Sequence, residues 1–79
     1  MKNQLDNLRK QIDKIDNSII NLLAKRMRII KKVGKFKKEN NLQPLDNSRW
    51  QKVIKTKKGY VKKIWKIIHS EALKVEKLI

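Results

Sequence analysis

From Leu5 to Phe36 apolar side chains recur at alternating steps of three and four residues: Leu5, Leu8, Ile12, Ile15, Ile19 and Leu22, then Ile29, Val33 and Phe36. That spacing describes one face of an α-helix. One position breaks the series, because residue 26 is an arginine. A guanidinium held within a packed apolar stripe costs several kcal/mol, roughly, unless an anion meets it. The alternative is a loosely packed seam from which Arg26 snorkels, its stem covered and its head in water. The seam predicts a helical bundle, and Arg26 predicts an anion site inside it.

Asn3 with Asp6 three residues later reads as a helix start, and nothing breaks the pattern until Gly34, which a long helix tolerates for about 1 kcal/mol. The first helix is therefore expected from about Asn3 to Glu39. Its 37 residues span roughly 55 Å, whereas a compact chain of 79 residues has a diameter of roughly 30 Å. In a lone chain half of the seam would stand in water. Pairing two chains along their first helices covers it, so the expected fold is all-α: a long helix plus two shorter ones, assembled as an intertwined helical-bundle homodimer.

Asn40 to Asn47, with Pro44, reads as a loop. Ser48 and Gln51 resemble a capping box, which starts a second helix near Arg49 and carries Trp50, Val53 and Ile54 inward. Lys57, Lys58 and Gly59 mark a break. From Tyr60 onward Val61, Ile64, Trp65, Ile68, Ala72, Val75 and Ile79 form the stripe of a third helix. A continuous helix from Arg49 to Ile79, with Gly59 absorbed, is the alternative. No internal repeat or second domain is visible, and residues 1–79 read as a single helical domain.

With no cysteine the chain has neither disulfides nor a thiolate metal site, and its lone histidine, His69, has no partner at metal-ligand spacing. No metal or cofactor is expected, and His69 reads as a packing or surface residue. No apolar run approaches the roughly 20 residues that cross a bilayer, and the polar stretch Met1 to Lys10 does not read as a signal peptide. A cytoplasmic protein without a membrane partner is the expectation. The net charge of +15 raises the possibility of nucleic acid as a partner. Yet lysines occupy every face from Lys52 to Lys66, and aromatic residues, at 5%, are too few for a base-stacking platform. The lysines read as a solvated surface with no specific nucleic-acid partner. Arginine is the rarer choice, used only at Arg9, Arg26, Arg28 and Arg49. Its planar fork grips carboxylates bidentately, which lysine cannot do.

Arg26 and Lys37 are 11 residues apart, so on a helix they return to within roughly 20° of one face, about 16 Å apart along the axis. Two long side chains on one face can hold a small ligand between them. Arg9 precedes Arg26 by 17 residues, roughly 25 Å of helix and about 100° of rotation. It cannot reach the same ligand within its own chain. In an antiparallel dimer the start of one first helix lies beside the middle of the other, which delivers Arg9 to the partner's site.

Arg9, Arg26, the stretch Val33-Gly34-Lys35-Phe36-Lys37, the segment Pro44-Leu45-Asp46-Asn47-Ser48-Arg49 and Ile68-His69-Ser70-Glu71-Ala72 together resemble the all-helical chorismate mutases of the AroQ class. The resemblance covers nearly the full chain. It implies that Arg26 and the partner's Arg9 bind two carboxylates of chorismate, that Lys37 contacts a carboxylate and the ether oxygen, and that Asp46 holds the ring hydroxyl; the alternative for Asp46 is that it only caps the second helix. Arg49 completes the cationic end, and Glu76 matches a glutamine or glutamate that hydrogen-bonds the ether oxygen. The chain departs from the family at Trp50, where many relatives have a glutamate that helps bind the hydroxyl, and at Ala72, often a serine. The connection between the second and third helices is also shorter than usual.

The implied reaction, chorismate to prephenate in aromatic amino acid biosynthesis, is an intramolecular [3,3] rearrangement that needs no nucleophile, metal or cofactor. It is promoted by holding the compact conformer and by placing donors where charge grows on the ether oxygen. Arg26, Lys37 and Glu76 are the expected catalytic residues, with a protonated Glu76 as a donor. Two other readings stay open: isochorismate-pyruvate lyase activity on the same fold, and a non-enzymatic basic helical protein that binds nucleic acid.

Overall fold

Three helices follow the apolar periodicity in the computed structural model, which describes residues 2–79: α1 at Lys2–Glu39, α2 at Asn47–Lys55 and α3 at Gly59–Leu78. Met1, part of the domain as read from sequence, lies outside the described residues. The architecture is all-α as expected, with one long helix and two shorter ones. Already helical at Lys2, α1 contains Asn3 within its first turn. It stops where Asn41 takes a left-handed φ of 56°, with Leu42 N–H donating to Lys37 C=O at 2.7 Å and Asn41 N–H to Lys38 C=O at 3.3 Å. Those two bonds form a Schellman motif, which satisfies carbonyls that the helix end leaves open.

The start of α2 differs from the expected capping box. Asp46, rather than Ser48, is the N-cap: its backbone is extended, and its Oδ1 accepts the Arg49 N–H at 3.0 Å. Asp46 wins because its own backbone is extended just before the helix, so its carboxylate folds over the first turn and reaches the third amide. At the other end Thr56 Oγ1 donates to Val53 C=O at 2.7 Å. The continuous-helix alternative is overturned here, because Lys58 is extended and Gly59 opens α3 with a φ of 59°. A side chain at Gly59 would strain that turn.

The two reversals bring α3 back parallel to α1. Gly34 lies against Glu76 and Ile79, while Leu22 and Arg26 face the groove that Ile64 and Ile68 also line. At Gly34 the two helices are in direct contact: an added Cβ would stand 3.2 Å from Glu76 Cα and 2.8 Å from Ile79 Cδ1. The Ile79 methyl can rotate away, but the backbone of Glu76 cannot. Gly34→Ala is therefore expected to destabilise the protein by about 1 kcal/mol and Gly34→Leu by about 3 kcal/mol, because overpacking outweighs the helix-propensity gain. Urea unfolding checks both; equal stability of Gly34→Leu and wild type would mean that the helices are not in contact here.

Apolar burial is sparse. Ile54 and Ala72 are the buried apolar side chains among the described residues, while Leu8, Ile12 and Ile15 are 49%, 55% and 59% exposed. The molecule measures 59 × 24 × 14 Å with a radius of gyration of 16.7 Å, against about 12 Å for a compact chain of this length. Its accessible surface is 7072 Å², about 2,000 Å² more than a compact protein of this mass exposes. The surplus lies along the free half of α1 and in a groove of about 500 Å³ lined by Ile19, Leu22, Leu23, Val61, Trp65 and neighbouring residues. Over Trp65 the Lys57 ammonium sits 4.6 Å from the ring centroid. No helix among the described residues is long and apolar enough to cross a membrane.

Candidate active site

Helices α1 and α2 do not pack on each other; each packs on α3. The space left between them is a cleft of about 340 Å³, the size of a small-molecule site. Helical spacing selects its lining. Arg26, Ile30, Val33 and Lys37 form one face of α1, and His69, Ala72 and Glu76 form one face of α3. Pro44 and Asp46 from the loop, with Arg49, Trp50 and Val53 from α2, close the third side.

Lys37 is the best-tethered side chain of the cleft. Its Nζ donates to Glu76 Oε1 at 2.7 Å and to the Pro44 carbonyl at 2.7 Å. The pair is largely covered, with side-chain exposures of 19% for Lys37 and 9% for Glu76. An ammonium has three N–H donors, so one is left for a ligand. Glu76 therefore stands in an ion pair with Lys37 in the free chain, the neighbour that the sequence also places beside it. Arg26 is half-buried and makes no ion pair or side-chain hydrogen bond among the described residues. Arg49 is exposed and also makes no ion pair among them. Asp46 spends one oxygen on the α2 cap and keeps the other.

Three cations, Arg26, Lys37 and Arg49, face two carboxylates, Asp46 and Glu76, leaving one net positive charge in the cleft. The arrangement suits an anionic ligand with hydrogen-bonding edges. The chorismate mutase type II family model matches residues 8–77. The chain belongs to that family. Neither a curated protein nor a solved structure matches it.

Of the six family site positions read from sequence, Arg26, Lys37, Asp46, Arg49 and Glu76 converge on the cleft from separate elements. Arg9 does not; it is exposed on the free half of α1, outside the cleft. Trp50 and His69 read from sequence as core and as packing or surface, yet both line the cleft, stacked with centroids 3.8 Å apart and planes 12° apart. The signal was present in part, because His69, Ala72 and Glu76 share the spacing of one helical face. What was missing was which neighbour that face meets.

His69 is held below its ordinary value of 6.5, chiefly by burial; the Glu76 carboxylate pulls it upward, and the Arg26 and Lys37 cations push it down. The neutral ring is thus the favoured form in the folded protein. Its share of stability is present above about pH 6.5 and is lost as pH falls through the lowered folded value. Glu76→Gln removes the one group that raises it. A further downward shift of the His69 midpoint is expected in an NMR titration, which the chain's single histidine makes unambiguous. An upward shift would show that Glu76 does not face the ring.

Proposed function

We propose that the chain is a chorismate mutase acting in aromatic amino acid biosynthesis, catalysing the rearrangement of chorismate to prephenate at this cleft. The observation that carries the reading is the convergence of Arg26, Lys37, Asp46, Arg49 and Glu76, scattered over 51 positions of sequence, around one space of about 340 Å³. Chorismate is a dianion that reacts from a compact conformer. Arg26 grips one carboxylate through its fork, and Arg49 strengthens the cationic end. Lys37 offers its remaining N–H to the ether oxygen, where negative charge grows as the bond breaks. Glu76 orients Lys37, and Asp46 accepts the hydrogen of the ring hydroxyl.

The protein works as a homodimer in which Arg9 of the partner completes the site. The cleft of one chain holds a single net positive charge, and one added arginine brings it to two, matching a dianion. Support for the dimer is the surplus of about 2,000 Å² of accessible surface, enough for an obligate interface once α1 of a second copy covers it. The choice of reaction is supported by family membership.

The test is the loss of chorismate absorbance on adding protein, with the product identified by NMR. Prephenate is expected. Pyruvate released from isochorismate, with chorismate untouched, would instead establish the lyase. DNA binding that is sequence-selective and survives physiological salt, with no turnover, would overturn both, because binding through solvated lysines alone is lost steeply with salt.

A further inference from the structure

The polar side chains of the cleft divide by what they can exchange. Arg26, Lys37 and Arg49 only donate, as does the indole of Trp50. Asp46 and Glu76 as carboxylates only accept, and each already has an oxygen engaged, with the Arg49 amide and with Lys37. His69 is different. Its neutral ring, favoured by burial, carries one N–H donor and one bare nitrogen acceptor.

Stacking on Trp50 uses the face of that ring and leaves its edge, where both nitrogens lie, free. Neither nitrogen makes a hydrogen bond among the described residues, and no side-chain nitrogen or oxygen among them is sealed from solvent without a partner. The edge is therefore open. The charges acting on it are Glu76 of its own helix and Arg26 and Lys37 of α1, while Asp46 and Arg49 line the same cleft. An open, uncharged donor and acceptor among fixed charges is matched to an uncharged polar group of the ligand. Chorismate has one uncharged group that both donates and accepts, the ring hydroxyl, on the carbon next to the ether carbon. A hydroxyl has one hydrogen to give and lone pairs to fill. Asp46 can take the hydrogen but cannot fill the lone pairs, whereas the His69 N–H can.

We infer that His69 is a specificity-determining residue of this site, a neutral hydrogen-bond donor, held in orientation by Trp50, that reads the hydroxyl of the bound dianion. The inference rests on the chorismate mutase reading and adds a residue to it. Its energetic basis is that a substrate lacking the hydroxyl leaves a donor and an acceptor of the site unpaired.

The experiment compares kcat and KM for chorismate and for the analogue in which hydrogen replaces the ring hydroxyl, using wild type, His69→Phe and His69→Gln. Phenylalanine keeps the stacking face on Trp50 and removes both nitrogens. Wild type is expected to prefer chorismate by about 10–100-fold in kcat/KM, as for a partly open hydrogen-bonding site. His69→Phe should lower that preference about tenfold, mainly through KM for chorismate, and His69→Gln, which restores an N–H, should recover part of it. An unchanged preference in His69→Phe overturns the inference. A second measurement needs no variant: the nitrogen shifts of the single histidine, in wild-type protein, on binding an unreactive cyclic diacid with and without the hydroxyl. Only the hydroxylated diacid should move them, and equal responses overturn the inference. If wild type turns over neither substrate, the mutase reading fails and takes this inference with it; turnover of both without preference sinks the role of His69 alone.

Discussion

Replacing Lys37 by alanine is expected to lower kcat for chorismate about 10²–10³-fold, the cost of removing one positioned donor from a developing oxyanion. Lys37 holds two bonds at 2.7 Å, to Glu76 and to the Pro44 carbonyl, in a place where both side chains are largely covered. Its removal leaves the Glu76 carboxylate without its cation and the loop without its tether. A loss of about 1–3 kcal/mol of stability should accompany the catalytic loss. Lys37→Arg separates the two effects, because it keeps the charge and an ion pair with Glu76 but changes where the donor sits. It should recover more of the stability than of kcat. Steady-state kinetics with urea unfolding on the same preparations decides the matter. A kcat within tenfold of wild type in a folded Lys37→Ala protein would remove Lys37 from the chemistry.

Arg9→Ala and Arg26→Ala proteins, each inactive alone, should regain about a quarter of wild-type activity when refolded together in equal amounts. Half of the dimers formed at random are mixed, and each mixed dimer has one of its two sites intact. The expectation follows from position. Arg9 lies outside the cleft, roughly 25 Å along α1 from Arg26, so no side-chain motion within one chain joins them. The half of α1 that carries Arg9 also bears exposed Leu8, Ile12 and Ile15, the seam assigned to the interface in the proposed dimer. Ile12→Glu is accordingly expected to turn dimer into monomer in light scattering and to abolish activity with Arg9 and Arg26 both present. Mixed dimers that form but stay inactive would show that Arg9 does not act across the interface.

The helices were legible because their signals are local. A 3.6-residue periodicity is a property of neighbouring residues, and α1 ends at Glu39, where the pattern stops. The start of α2 left two candidates in sequence, because Asp46 and Ser48 both carry capping side chains, and the extended backbone at Asp46 decides between them. Gly34 read as a tolerated cost within a helix. It is the point where α1 and α3 touch, which no intrahelical pattern encodes.

Sequence by itself determined three amphipathic helices, the single charged intruder at Arg26, the common face of Arg26 and Lys37, and through residue resemblance the family. Tertiary structure alone decided that α1 and α3 run parallel, that Lys37 meets Glu76 39 positions away, and that His69 meets Trp50 at the edge of the same cleft. Faces of helices follow from the order of residues, because side-chain direction repeats with the backbone. Which faces meet depends on the angles of two short turns, at Asn41 and Gly59, and on how closely a glycine lets two backbones approach.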